Sequence, residues 1–510
     1  METAYDAIVI GAGNGGLIAA LRLVESGKRT LLVERHTVPG GFATSFIRGR
    51  FEFEASLHEM CQLGTAQNQG DLYRLFDELG VIDRLHFVTV PEAFRVICPA
   101  TGEDYSMPFG VENFIEKMES YVPGSRKSMT TFFQLGEEIG RATKYLNDSH
   151  GHPDTKVLRR EYPNFMRVAP YPIKTVLDAI RMPRQAQKIL NTYWSYLGAS
   201  ESHLGFIHFC IMVTQYIRLG AQIPTDRSHG ISVALTEKIR ELGGDVWFGD
   251  GVKKILTEDG HVSGVELDSG KVIRTRHVIS NAAPHTVYGH MIDDVSAIPE
   301  SELKLANARQ LSGRGFSMFL GLNRSPDELG LKDYSYFIYD TLDSDAAFAS
   351  MTSLDRFSQV TVCLNRALPD CSPAGTTILY FTSLYFSDCF DRAATPENYF
   401  KLKEQLAEGY IANFEKATKT SIRPYIEEIE VATPASYARY TGAPDGAIYG
   451  YLTADLDNMM PRLMRMYQEG IMPGLRFCGG HAARSSGYNS AYVSGDLAAK
   501  LTLGDMKEGR

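Results

Sequence analysis

The first 34 residues constrain the fold of this chain more than any other segment. An apolar run at residues 7–10 has the pattern of a buried parallel strand, and a glycine-rich turn follows it directly. The turn holds Gly11, Gly13 and Gly16 in GxGxxG spacing and leads into "LIAALRLVESG", whose apolar residues have helical periodicity. A second apolar strand, "RTLLVE", ends at Glu34. This order of strand, turn, helix and strand predicts a Rossmann-type unit.

The glycines of this turn have physical roles that indicate a nucleotide site. The first permits the tight turn, the second lets the backbone approach a pyrophosphate, and the third lets the helix pack closely on the strand. Phosphates then lie at the helix N-terminus, beside Asn14, where free N–H groups and the helix dipole favour negative charge. Glu34 stands where a carboxylate accepts the hydroxyls of a ribose. The alternative is a glycine-rich turn that only packs.

A glycine pair, Gly40 and Gly41, follows Glu34 and Arg35 in the stretch "ERHTVPGGFATSF". This arrangement resembles that of flavoproteins of the amine oxidase and phytoene desaturase superfamily. The resemblance implies that the nucleotide is FAD and that these four residues contact it.

The next stretch, "FEFEASLHEM", resembles the FDxGxH pattern of carotenoid isomerases and retinol saturases. Phe53, Glu54 and His58 stand in the matching places. Glu54 replaces the usual Asp of that family, and Ser56 replaces its usual Gly. These departures concern the shape of the loop and leave the superfamily assignment unchanged.

Two later segments carry the same resemblance. Residues 230–284 resemble the second FAD-domain segment, in which the backbone of Val252 borders the adenine and the chain leaves the domain at Asn281. The stretch "GLRFCGGHAARSSGYNSAYVSGDL" resembles the family's closing motif, in which a helix starts against the pyrimidine edge of the flavin. The N-terminus of that helix can stabilise negative charge on a reduced flavin. In total, the resemblance implies FAD contacts for Gly11, Gly13, Asn14, Gly16, Glu34, Arg35, Gly40, Gly41, Val252, Asn281, Gly479, Gly480, Gly487, Tyr488 and Asn489.

The expected fold is α/β, with a Rossmann-type FAD-binding domain and a split α+β substrate domain. Residues 1–100, 221–290 and 426–510 are expected to form the discontinuous FAD-binding domain. Residues 101–220, which are rich in helical patterns, and residues 291–425, which hold strand-like runs, are expected to form the two parts of the substrate domain.

Polar groups crowd the turn "HAARSSGYN" before the last helix. Arg484 falls where the family commonly has proline, and an arginine there can hold a carboxylate through two parallel hydrogen bonds. The alternative is that Arg484 pairs with a protein carboxylate or the flavin phosphates, while the serines cap the helix. The sequence leaves both interpretations open.

The other candidates for catalysis are His58, His481, Tyr488 and Tyr440. Histidine titrates near neutral pH, so His58, which precedes Glu59, could donate a proton to a carbon centre or stabilise a cation. A hydrogen-bonded histidine without chemical duty is the alternative. His481 near the ring could act as an electrostatic or acid group, or only pack. Tyr440 belongs to "RYTGAPDG", which is also an ordinary turn signature.

These features predict an FAD-dependent oxidoreductase or isomerase that acts on carbon–carbon double bonds. The expected substrate is lipophilic and polyunsaturated, such as a carotenoid, a retinoid or an unsaturated fatty acid, and a carboxylate on it is left open. The alternatives are a redox-neutral hydratase or isomerase that uses reduced FAD, and a flavin amine oxidase. The sequence has no HExxH, GxSxG or Walker motif, so we expect neither a metal site nor a hydrolase.

Charge and hydropathy limit the partners. The formal net charge of -9 argues against nucleic-acid binding. The sequence shows neither a signal peptide nor an apolar run long enough to span a membrane, so we expect a cytoplasmic protein, monomeric or oligomeric. One segment is compatible with peripheral membrane contact and equally with a solvated helix face. Its basic residues are Lys156, Arg159, Arg160, Arg167, Lys174, Arg181, Arg184 and Lys188.

Overall fold

The computed structural model of the chain describes residues 5–467, 472–482 and 487–509. Its organising element is a five-stranded sheet in which all neighbouring strands are parallel. The strand order is Asp245–Phe248, Thr30–Glu34, Ala7–Ile10, Val278–Ser280 and Leu475–Phe477. The strands are almost entirely apolar because helices and a second small sheet cover both faces. This sheet confirms the predicted Rossmann-type unit.

The chain leaves Ala7–Ile10 toward one side of the sheet and returns later to its other side. A crevice therefore opens at the carboxyl end of that central strand. Helix Asn14–Glu25 starts there and packs against helices Tyr488–Glu508 and Arg227–Glu241. A three-stranded antiparallel sheet covers the other face, with strands Val252–Glu258, His261–Leu267 and Val272–Arg274.

A second, seven-stranded sheet is mixed. Its order is Ile426–Ala432, Arg314–Leu322, Thr377–Tyr385, Gln359–Cys363, Ser335–Ile338, Phe94–Cys98 and Glu103–Met107. The first and sixth of these strands lie on the FAD side of the predicted boundaries at 100 and 426, so those boundaries divide one sheet. The domain division itself stays a prediction, with both strands better placed in the substrate domain.

Helices pack against one face of the seven-stranded sheet and share a large aromatic core with it, which includes Phe94, Phe132, Phe209 and Phe337. The helices are Val111–Tyr121, Arg126–Asp148, Thr155–Glu161, Pro163–Val168, Ile173–Ala179, Arg184–Leu190, Trp194–Leu197 and Phe206–Leu219. Other helices are Asp71–Glu78, Pro284–Thr286, Glu300–Ala308, Ser344–Ser350, Cys389–Ala393, Tyr399–Thr418, Pro434–Thr441 and Met459–Arg465. Short strand pairs are Ser45–Arg48 with Phe51–Glu54, Gly64–Thr65 with Asn68–Gln69, and Phe87–Thr89 with Gln222–Pro224. Among the described residues, no helix is both long and apolar enough to cross a membrane.

Candidate active site

A cavity of about 2480 Å³ runs from the crevice of the parallel sheet into the helical region. Gly11 and Glu34 line it at the sheet, His58 lies along its course, and Ile211 and Leu463 line it among the helices. One continuous space therefore connects the predicted nucleotide turn with a chamber among the helices that apolar and charged side chains line together.

Nearly all the predicted site residues line this cavity. They are Gly11, Gly13, Asn14, Glu34, Arg35, Gly40, Gly41, His58, Val252, Asn281, Tyr440, Gly479, Gly480, His481, Gly487, Tyr488 and Asn489. Gly16 does not line it, because it packs against the carbonyl of Gly11, where any Cβ would clash. Arg484 lies outside the described residues. The tertiary structure thus brings residues from both ends and the middle of the chain to one site.

The side chain of Asn281 packs against the glycine turn. The backbone of Gly11 has φ of +89°, in the region that favours glycine. A Cβ at Gly15 would lie 2.5 Å from the backbone nitrogen of Gly479 and 2.9 Å from Oδ1 of Asn281. The sequence motif did not single out Gly15, since its neighbour across the site is 464 residues further along the chain.

Glu34 is fixed at the nucleotide end by backbone amides. Its carboxylate accepts hydrogen bonds from the N–H of Ala12 at 2.7 Å and of His36 at 2.8 Å. Arg35 donates to the carbonyl of Arg439 at 3.0 Å and so ties this end to the neighbouring helix. A rigid carboxylate beside the glycine turn matches the ribose contact that the sequence predicts.

The residues at the start of the first helix fit FAD. The helix begins after Gly13, so its first N–H groups are available to an anion such as the pyrophosphate. Asn14 is buried, and its Oδ1 has no hydrogen-bond partner among the described residues. A hydroxyl of the bound cofactor would satisfy that oxygen, which is otherwise costly to bury.

The last helix begins beside a second set of polar anchors. The Tyr488 hydroxyl donates to the carbonyl of Phe42 at 3.0 Å and lies 2.9 Å from Oγ of Ser56. Burial raises the pKa of Tyr488 well above 10, and Asn489 Nδ2 donates to the carbonyl of Cys61. Because the one proton of the Tyr488 hydroxyl is engaged, these contacts favour a positioning role over the predicted catalytic role.

His58 is buried between two hydroxyl groups. Its Nε2 lies 2.9 Å from Oγ1 of Thr382, and its Nδ1 lies 3.3 Å from the Tyr196 hydroxyl. Burial lowers the pKa of His58 to about 3. The predicted role as a proton-donating imidazolium is therefore not supported, because the neutral ring has both nitrogens engaged.

The neighbouring carboxyl group was not among the predicted catalytic residues. Glu59 is buried and lines the cavity, and its Oε1 accepts a hydrogen bond from the Tyr196 hydroxyl at 2.8 Å. Its Oε2 has no partner among the described residues. Burial, the largest cause, raises the pKa of Glu59 to about 8. The sequence showed the dipeptide His58–Glu59, but it did not show which of the two side chains is protonated at neutral pH.

His481 and Tyr440 occupy different surroundings. His481 lines the cavity, meets the ring of Tyr451 edge-on at 5.3 Å, and has a buried Nε2 without a partner among the described residues. Burial lowers its pKa to about 4, so the ring is neutral at physiological pH. Tyr440 is 60% exposed, and its ring centroid lies 6.4 Å from that of His36. The backbone N–H of His36 also donates to Glu34, so Tyr440 lies at the nucleotide end, which does not favour a catalytic role.

The far part of the cavity runs along two neighbouring helices. Gly136 packs against Thr214, and Cys210 Sγ donates to the carbonyl of Phe132 at 3.7 Å. From the pair Phe132–Cys210 to the pair Gly136–Thr214, the residue number rises by four in both helices, so the two helices run parallel. Apolar side chains contribute to the lining here, namely Ile211, Met212, Met459, Leu463, Met466, Leu497 and Leu501. Charged side chains also line this part, among them Glu137, Arg141, Lys144, Asp148, Arg218 and Lys500.

One cluster of carboxylates lies outside this cavity. Oxygens of Glu201, Asp343 and Asp345 come within 4.8 Å of one another. Arg184 pairs with the first two at 2.5 and 2.9 Å, and Lys174 lies 3.6 Å from the third. These two cations offset most of the charge of the three carboxylates, so the cluster is a structural ion-pair network.

Comparison with known proteins places the chain among flavoproteins. Residues 15–503 match the family model described as flavin containing amine oxidoreductase. An all-trans-retinol 13,14-reductase of Danio rerio is 24% identical over 474 residues, which covers 87% of this chain and 77% of that protein. Prolycopene isomerase 2, chloroplastic, of an Oncidium hybrid cultivar is 24% identical over 525 residues, which covers 98% of this chain and 84% of that protein. A solved oxidoreductase of Methanosarcina mazei, 16% identical, shares the fold with a TM-score of 0.63 over 98% of this chain and 99% of that one.

Proposed function

The chain belongs to the family of flavin containing amine oxidoreductases, with FAD as its cofactor, and we propose that it acts on carbon–carbon double bonds of a lipophilic, polyunsaturated substrate. The observation that carries this proposal is the part of the cavity among the helices, where side chains such as Ile211, Met459 and Leu463 offer apolar surface. An extended hydrocarbon chain gains affinity by burying its surface there. The names of the two similar proteins, a retinol reductase and a prolycopene isomerase, agree with a polyene substrate.

The chain itself supplies binding, orientation and electrostatics. Bound FAD provides hydride or electron transfer at its N5, and the protein positions the substrate carbon beside it. Glu34 and the N-terminus of helix Asn14–Glu25 would hold the adenosine ribose and the pyrophosphate. The N-terminus of helix Tyr488–Glu508 would stabilise negative charge on the reduced flavin.

We further propose that the substrate carries a carboxylate. Arg141 and Arg218 line the cavity, are exposed, and form no ion pair with any described residue. The two arginines lie at nearly the same height along the two parallel helices, so both guanidinium groups can approach the same substrate carboxylate. Arg484, the residue that the sequence proposes for this contact, stays a candidate.

Contact with an anionic membrane surface is the third part of the proposal. Met166 and Tyr171 are 39% and 47% exposed, and Met166 is followed in the chain by the exposed basic residue Arg167. Apolar side chains flanked by cations favour peripheral binding to anionic lipid. Co-sedimentation with vesicles at low salt is expected, and its absence would remove this part alone.

Anaerobic spectroscopy tests the central proposal. Heat-denatured protein should release a yellow, FAD-like chromophore, and a colourless supernatant from folded protein would contradict the cofactor assignment. The oxidised and photoreduced protein is then mixed with carotenoids, retinoids, unsaturated acids and simple amines. Spectral change of the flavin or the polyene with the first three classes supports the proposal. Bleaching by amines alone would favour the amine oxidase alternative.

A further inference from the structure

We propose that Glu59 is a catalytic residue that, as a neutral acid, gives a proton to a carbon of the substrate double bond. In the saturating direction one carbon accepts a hydride, with its two electrons, from reduced flavin, and the other accepts the proton of Glu59. The double bond becomes a single bond, and Glu59 is left as a carboxylate that water reprotonates. Desaturation is the reverse, with Glu59 as the base. This inference rests on the proposed function.

The first support is the position of the carboxyl group. Glu59 is 7% exposed and lines the cavity beside His58. The Tyr196 hydroxyl occupies Oε1, whereas Oε2 is buried without a partner among the described residues. Burying an oxygen without a hydrogen-bond partner costs free energy, so this oxygen is suited to contact a ligand.

The second support is the direction of a hydrogen-bond chain that ends at Glu59. Tyr437 donates to Ser317 at 2.6 Å, and Thr382 lies within hydrogen-bond distance of both Ser317 and His58. His58 in turn approaches Tyr196, which donates to Glu59. Because the Tyr196 hydroxyl donates to Glu59, its oxygen accepts from the Nδ1–H of His58, and the neutral His58 ring then accepts at Nε2 from Thr382.

This chain places the acidic proton. Because Tyr196 gives its proton to Oε1, a neutral Glu59 must carry its own proton on Oε2. That oxygen has no hydrogen-bond partner among the described residues, so it is available to the substrate. The chain thus fixes the acid in an orientation suited to proton transfer.

The electrostatic surroundings agree with a neutral acid. Burial is the largest influence and, with the nearby charge of Glu92, raises the pKa of Glu59, while the hydrogen bond from Tyr196 lowers it. The pKa of the acid is thereby brought to about 8, close to operating pH, where general acids work best. Titratable groups facing Glu59 from the packed elements are His58, Cys61, Glu92, Tyr193, Tyr196, Tyr216, Tyr334 and Tyr449.

Infrared spectroscopy of the FAD-loaded protein tests this inference without turnover. The wild type should show a carboxylic acid band that disappears on titration near pH 8 and is missing in Glu59→Gln. Tyr196→Phe should shift that titration upward, because it removes the hydrogen bond that favours the carboxylate. Glu258→Gln, which removes an exposed carboxyl group outside the cavity lining, should keep the band.

Turnover provides the second measurement. With a substrate from the panel, Glu59→Gln should retain FAD and slow proton transfer by roughly 10²–10⁴-fold, whereas Glu258→Gln, at an exposed position, keeps the wild-type rate. An unchanged rate in Glu59→Gln, or no acid band that depends on Glu59, would overturn the inference. If the wild type turns over none of the panel while the band titrates near pH 8, the proposed substrate class fails and the neutral-acid assignment stands.

Discussion

The hydroxyl oxygens of Ser56 and Tyr488 lie 2.9 Å apart, and both also contact the carbonyl of Phe42. Ser56 stands where the resembled family has glycine, and Tyr488 where it has an apolar residue. The two departures meet in one contact, which ties the last helix to the loop before His58.

We expect this contact to appear as coupling between the two positions. Tyr488→Phe should lower the free energy of unfolding by about 1 kcal/mol, because a buried hydrogen bond is lost. In combination with Ser56→Gly, the two losses should be non-additive by roughly 0.5–1.5 kcal/mol. Urea unfolding of the FAD-loaded protein measures both. Tyr171→Phe at an exposed position outside the cavity lining is the control, and strict additivity would contradict the contact.

The second prediction concerns Gly15. Its added Cβ would meet the backbone of Gly479, which cannot move aside as a flexible side chain can. We expect Gly15→Ala to separate the helix from the closing turn and to weaken FAD binding by at least about tenfold, or 1.4 kcal/mol. Gly504→Ala on the last helix has no atom within 4 Å of its added Cβ and should bind FAD normally. Fluorescence titration of the apoprotein with FAD separates the two outcomes.

The third prediction is a pH dependence of stability. Folding raises the pKa of Glu59 to about 8 from about 4.3 in an unfolded chain, so between these values the folded state binds the extra proton. The stabilisation from this proton is complete below pH 4 and is lost as pH rises through 8, at up to about 1.4 kcal/mol per pH unit. His58, with its lowered pKa, acts oppositely, since its stabilisation is lost as pH falls below 6.5.

Chemical unfolding between pH 5 and 9 measures this dependence. The unfolding free energy of the wild type minus that of Glu59→Gln should fall steadily over pH 5–8. Glu258→Gln, at an exposed position, should show no such trend. A pH-independent difference for Glu59→Gln would mean that the folded protein holds a carboxylate there.

The fourth prediction addresses the anionic end of the substrate. Replacing Arg141 and Arg218 by alanine should raise the KM of an unsaturated acid by about tenfold, or 1.4 kcal/mol, and leave that of its methyl ester unchanged. Lys144→Ala is the matched control, because Lys144 already pairs with Asp148. Equal effects on acid and ester would remove the carboxylate from the proposal.

Local sequence predicted the Rossmann-type unit and the cofactor class. The family match and the parallel sheet confirm the flavoprotein family, the α/β class, FAD and the enzyme class. The individual contact residues stay predictions, although the structure gathers most of them around one cavity. The glycine motif succeeds because its strand, turn and helix are neighbours in the chain.

Catalytic roles could not be predicted in the same way. His58 and Glu59 are adjacent in sequence, yet both ring nitrogens of His58 have partners in Thr382 and Tyr196, while one oxygen of Glu59 has no partner among the residues that the structure describes. These partners come from remote segments, and no local pattern announces them. The surroundings of Tyr440 likewise depend on its approach to His36.

The sequence by itself determined the cofactor class and the order of the Rossmann elements, because short-range periodicity and backbone geometry encode both. Only the tertiary structure decided which buried group holds a transferable proton. The reason is physical: the pKa of a side chain depends on the water it loses and the partners it gains, and for Glu59 both come from segments far away in the chain.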